Sequence, residues 1–126
     1  MMGFRFALVV LMGLASVLAL GIHAQARSES DGYWTVVVSG QSGGCQGGSY
    51  HYALHIVNGI TRYRGTDARI TGRVSNKGAV YVRVSTIDRS AVGSGRLWGN
   101  FGSGLFRGQS SSGICAGTWR AQRTSG

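Results

Sequence analysis

Residues 68–85 read Ala-Arg-Ile-Thr-Gly-Arg-Val-Ser-Asn-Lys-Gly-Ala-Val-Tyr-Val-Arg-Val-Ser. Ile70 and Val74 alternate with Arg69, Thr71 and Arg73, and after Asn76-Lys77-Gly78 the valines Val80, Val82 and Val84 alternate with Tyr81, Arg83 and Ser85. A period of two puts the apolar set on one face of an extended strand and the arginines on the other. Asn-Lys-Gly suits a three-residue hairpin loop with Gly78 in the left-handed region. In that register Arg73 lies across from Tyr81, as a cation–π pair, and Arg83 lies across from Thr71.

The same alternation recurs in both directions along the chain. It predicts strands over Trp34 to Ser39, Tyr50 to Val57, Ile60 to Arg64, Ala68 to Ser75, Ala79 to Ile87, Ala91 to Trp98, Ser103 to Gln109 and Ile114 to Gln122. The breaks have their own chemistry. Asn58-Gly59 suits a type I′ turn, while Asp88-Arg89-Ser90, Asn100-Phe101-Gly102 and Ser110 to Gly113 are polar or glycine-containing turns. Gln41 to Ser49 reads as a glycine-rich loop around Cys45. Proline is absent, and no stretch after residue 26 sustains a helical apolar period. The expected fold is all-β: an eight-stranded antiparallel up-and-down meander that closes into a small barrel or a strongly bent sheet.

Upstream of the meander, Arg5 precedes an apolar run from Phe6 to Ile22 and then Ala24-Gln25-Ala26. This is the pattern of a secretory signal peptide over residues 1–26, leaving 27–126 as a single domain in the periplasm or outside the cell, with no transmembrane anchor after cleavage. The mature chain would carry twelve cations, eleven of them arginine, against four acids, a net charge of +8. Arginine is the forked cation suited to carboxylate, phosphate and sulfate. Export argues against nucleic acid and for an anionic glycan, lipid head group or protein of the cell envelope.

The two cysteines, Cys45 and Cys115, most economically form one disulfide in an oxidising compartment. It would close a loop of about 70 residues, worth roughly 4 kcal/mol on the chain-entropy model, and would bring the two ends of the meander together.

Alternation also sorts the aromatic residues. Gly104-Leu-Phe-Arg-Gly108 and Gly117-Thr-Trp-Arg-Ala121 repeat one box, in which Phe106 and Trp119 share a face with small residues while Arg107 and Arg120 point away. A narrow barrel admits large rings only beside small residues, so Trp34, Phe106 and Trp119 are read as core. The outer face then carries Arg69, Arg73, Arg83, Arg96, Arg107 and Arg120 as a candidate anion-binding stripe, with Trp98 and Tyr81 as candidate contacts.

Catalytic chemistry is thin. Asp67 and Asp88 both fall in turns, away from the geometry of a glycosidase pair. His51 and His55 share an outward face about 13 Å apart, too far to chelate one metal. No nucleophile signature accompanies the serines. The reading is therefore a protein that binds, with no catalytic residues and no resident metal or cofactor.

With Gly32-x-Trp34-x-Val36, Tyr50-x-Tyr52, Gly72-Arg-Val74, Asn76-Lys-Gly-Ala79, Gly93-Ser-Gly-Arg-Leu97, Gly102-Ser-Gly104 and Cys115-x-Gly-x-Trp119-x-Ala121 in view, the mature chain resembles a family of small exported proteins of Gram-negative bacteria. Some members of that family carry labels of large exoproteins in haem utilisation or adhesion. The resemblance implies an exported β-protein of a family with no assigned biochemical role and supplies no catalytic residues; similar sequences tend to have Trp at position 106 and a small residue at 98, so Phe106 and Trp98 depart from the pattern. Two functions follow as expectations: an arginine face on an anionic partner, or a lipocalin-like carrier holding a small apolar ligand or haem.

Overall fold

The structure, a computed structural model, describes residues 28–43 and 49–126. The expected signal peptide and Cys45 lie outside the described residues. Those residues form eight strands, β1 (Gly32–Gly43), β2 (Ser49–Val57), β3 (Ile60–Arg62), β4 (Arg69–Val74), β5 (Ala79–Ser85), β6 (Ser90–Trp98), β7 (Phe101–Ser110) and β8 (Gly113–Ser125). Each pairs antiparallel with the next, and β8 pairs back onto β1, so the sheet is a closed barrel. No helix occurs among the described residues.

The registers follow the sequence pattern. Arg73 faces Tyr81 and Thr71 faces Arg83, as the loop at Asn76 requires. Asn58 and Gly59 both take positive φ (51° and 75°), the conformation of a type I′ turn, and Gly78 sits at 84°. Arg73 and Tyr81 are partners in register, but the cation–π contacts among the described residues are made by Arg89 and Arg123.

Several expected boundaries shift: β3 ends at Arg62 and not Arg64, β5 ends at Ser85 and not Ile87, and Ser90, expected in a turn, starts β6. The turn expected over Asn100 to Gly102 lies one residue earlier, because Gly99 (φ 56°) takes the first central position of a two-residue turn and Phe101 is already paired with Trp98. The loop expected from Gln41 is strand as far as Gly43. A register shift between Gly40 and Ser42 lets β1 continue, pairing Ser42 with Ala116 and Gly43 with Cys115.

The two ends of the barrel differ. At one, here the base, the segment 28–31 lies across the turns. The Asp31 carboxylate accepts the N–H groups of Asn58 (2.9 Å) and Gly59 (3.0 Å), and the Trp34 indole donates to the Ser30 carbonyl (2.8 Å). Arg123 of β8 stacks on Trp34 with its guanidinium 4.9 Å from the ring centre and donates to the carbonyls of Asp31, Glu29 and Gly99. Above this plug sits the core of Trp34, Ile56, Val74, Leu97, Trp119 and Ala121. Burying a tryptophan removes about 200 Å² from water, worth about 5 kcal/mol, so two such rings dominate the core of a domain this small.

Glycine makes room for the rings. Phe106 lies against Gly117, where a Cβ would come within 2.7 Å of its ring, and Trp119 lies beside Gly104. A Cβ on Gly104 would come within 2.6 Å of the Trp119 ring.

Candidate functional site

Above the core the barrel is hollow. A cavity of about 590 Å³ opens at the end opposite the plug, the mouth, with walls of Val38, Leu54, Ile70, Val82, Val84 and Phe106. Its size falls in the usual range of small-molecule pockets, roughly 300–1,000 Å³. The inward half of each strand's alternation is apolar, whereas the outward half carries serine, threonine and arginine. That is the reverse of the apolar-out pattern of a barrel that faces lipid.

Polar groups meet the cavity at its mouth. Arg89, on the loop between β5 and β6, donates to the Tyr50 hydroxyl (2.8 Å) and lies 5.9 Å from the centre of that ring. In the cyclic strand order β2 stands opposite β6, so this hydrogen bond is a latch across the opening. The loop behind it is self-braced: the Thr86 N–H donates to the Arg89 carbonyl (2.8 Å), the Arg89 N–H to Thr86 Oγ1 (3.1 Å), and the Thr86 hydroxyl to Asp88 (3.1 Å). Asp88 approaches the Arg89 guanidinium at 3.9 Å. The hydrogen bond to Tyr50 raises the pKa of Arg89 above its ordinary value, with the Tyr50 and Asp88 charges adding to it.

Next to the latch, the Tyr63 hydroxyl donates to Asp67 at 2.5 Å, and Tyr63 meets Tyr52 edge to face, with ring centres 5.7 Å apart. The bond to Asp67 pushes the Tyr63 phenol up to about 12. Burial raises the Tyr52 phenol, and the nearby Asp67 charge raises it further. Among the described residues, Tyr50, Tyr52, Asp67, Asp88 and Arg89 thus line a polar rim to an apolar cup, with Tyr63 bracing Asp67 from behind. Asp67 and Asp88, expected only as turn residues, belong to this rim.

The expected core aromatics are found inside. Trp34 and Trp119 are buried, while Phe106 is half-buried and walls the cavity. His51 and His55 face outward, and His55 stacks on Tyr33 with ring centres 4.1 Å apart. Neither histidine lines the cavity, so histidine ligation of a haem iron inside the barrel does not fit these residues. No group of three His, Cys, Asp or Glu side chains suited to a metal occurs among the described residues.

All six expected arginines are exposed on the outer wall. The barrel brings them together in two rows. Arg83 and Arg107 flank Val92, with Arg69 one strand further on, and these three border one shallow external groove. Arg96 and Arg120 flank Ser103 in the second row. Arg73 lies between the rows, beside Tyr81. The neighbouring Tyr81 hydroxyl raises the pKa of Arg83. Trp98 is 54% exposed and pairs across the strands with Phe101.

The sequence pattern does not reveal Arg89 and Arg123, which act through partners 39 and roughly 90 positions away. The inward parity of Tyr50 and Tyr52 was a usable signal for the rim.

No family model, curated protein or solved structure matches the chain.

Proposed function

We propose that the protein is a non-enzymatic carrier that holds a small apolar or amphipathic molecule in the barrel cavity, and that it does so after export. The observation that carries this reading is the 590 Å³ cavity, with mostly apolar walls broken by Thr61 and a polar rim. A compact protein that needed only stability would fill that volume, since empty apolar space forfeits dispersion contacts. The rim groups are placed to orient a polar end while the walls desolvate the remainder. The titratable groups described at the mouth are tied to one another, which supports binding over catalysis.

Within this reading, Cys45 and Cys115 form a disulfide that staples the mouth. Gly43 lies opposite Cys115, so the chain passes the right place two residues before Cys45. The bridge would fix the β1–β8 seam beside the opening.

The test is a titration of the oxidised 27–126 chain with N-phenyl-1-naphthylamine, a neutral dye that brightens in apolar sites, while tryptophan emission is followed. Saturable binding that is insensitive to salt is expected. Gly93 faces the cavity, and a Cβ there would meet nothing closer than 3.6 Å. Gly93→Leu should therefore fill the cup without unfolding the barrel and weaken the dye by roughly tenfold or more. No saturable uptake by the parent chain, or unchanged uptake by a folded Gly93→Leu, would overturn the carrier reading.

A further inference from the structure

The outer wall of β4 to β8 carries Arg69, Arg73, Arg83, Arg96, Arg107 and Arg120 and not one carboxylate. All four acids of the expected mature chain lie at the barrel ends: Glu29 and Asp31 in the base plug, Asp67 and Asp88 in the mouth loops. A wall that served only solubility would mix the two signs, because a single-sign field costs self-repulsion. The segregation here is a charge device separate from the cavity.

The spacing of that device is regular. Arg83 and Arg107 stand two strands apart, as do Arg96 and Arg120, which is about 10 Å at the usual strand separation. The two rows are offset by four residues along β7, from Ser103 to Arg107, about 13 Å by strand rise. Guanidinium groups at such intervals meet successive charges along a polymer better than one small ion. Between the rows the wall presents Tyr81 and Leu105, and Trp98 stands beyond Arg96, all three at least half-exposed. Flat and apolar surfaces among cations suit sugar rings that carry charged esters.

We propose that this wall binds a polyanionic glycan, a polysaccharide bearing tetrahedral oxyanion esters, with Arg69, Arg83 and Arg107 at the groove as its strongest contacts. Thr71, Ser85 and Gln109 border the same groove and add hydroxyl and amide partners for ester and hydroxyl oxygens. The glycan lies along the outside of the barrel, so the site is independent of what the cavity holds. Binding releases counterions condensed on the polymer, and the affinity falls steeply with salt.

The experiment compares two double charge reversals of equal net change. Arg83→Glu with Arg107→Glu removes the groove contacts; Arg62→Glu with Arg64→Glu changes exposed arginines outside the wall, on β3 and the following loop. Dextran sulfate, neutral dextran of the same length and a single-stranded oligonucleotide are titrated at two salt concentrations, with tryptophan emission and circular dichroism confirming the fold. The parent chain should bind dextran sulfate and not dextran. The groove pair should lose roughly a hundredfold in affinity, about tenfold per contact, with a shallower salt slope, while the control pair loses only a few-fold. Equal losses for the two pairs would overturn the site, and tighter binding of the oligonucleotide would overturn the glycan. Should glutamate perturb the barrel, Arg83→Gln with Arg107→Gln against Arg62→Gln with Arg64→Gln makes the same comparison.

Discussion

Alanine at Gly104 and alanine at Gly93 are the same chemical change on the same inner wall, one strand apart, and they should move stability in opposite directions. A Cβ on Gly104 would stand 2.0 Å from the Ser94 carbonyl oxygen and 2.6 Å from two carbons of the Trp119 ring. The carbonyl belongs to the β6 backbone and the ring is wedged in the core, so neither can yield by a rotamer change. Overpacking of this kind costs about 1–3 kcal/mol. The gain from stiffening the unfolded chain, about 0.4–1 kcal/mol, offsets only part of it. At Gly93 the nearest atoms are 3.6 and 3.8 Å away, ordinary contact, so only the gain remains. Gly104→Ala should therefore be about 1–2 kcal/mol less stable than the parent, and Gly93→Ala unchanged or up to about 1 kcal/mol more stable. For a domain near 100 residues each kcal/mol moves Tm by about 4–8 °C. Urea unfolding followed by tryptophan emission, checked by thermal scans on the oxidised protein, measures both. If the two variants shifted stability by the same amount and sign, the claim that glycine makes room for Trp119 at this place would be wrong.

Arg123→Ala should lower stability by about 3 kcal/mol, since it strips charge-assisted hydrogen bonds from the carbonyls of Asp31, Glu29 and Gly99 and uncovers Trp34; Arg123→Lys, lacking the fork, should recover less than half in the same urea assay. In an ultraviolet pH titration one tyrosine, Tyr63, should ionise near pH 12, and Asp67→Asn should return it toward the ordinary value of about 10. Because the folded-state pKa is the higher, the stabilisation from this bond is fully present below about pH 10 and is lost as pH rises toward 12.

Much of the architecture is legible in the alternation. Val80, Val82 and Val84 against Tyr81, Arg83 and Ser85 assign both faces of β5, and Asn58-Gly59 marks a turn that only positive φ at both positions can make. The errors are local and have physical causes. Gly99-Asn100-Phe101-Gly102 offers two glycines to a two-residue turn, and composition does not say which one bends; pairing of Phe101 with Trp98 decides it. The extension of β1 to Gly43 rests on an irregularity in its pairing with β8, a long-range event invisible to a local pattern. The arginine wall was readable because parity alone puts those side chains outside. The cavity was not, because parity says which residues face inward and not whether they meet. The latch of Arg89 on Tyr50 depends on a contact across the barrel, and the clamp of Arg123 on Trp34 on the β1–β8 seam where the two residues pair, and no spacing in the chain announces them.

Seven of the eight strand pairings join neighbours in the chain, and the eighth, β1 with β8, joins its two ends. Hairpins form locally at small entropic cost, so nearly the whole penalty of long-range loop closure falls on that one seam. Until it zips, a partly folded barrel presents two unpaired edges able to capture a neighbouring molecule. Closing that seam therefore carries most of the entropic cost of the sheet and also removes its exposed edges, and the register between Tyr33–Gly43 and Cys115–Ser125 governs both.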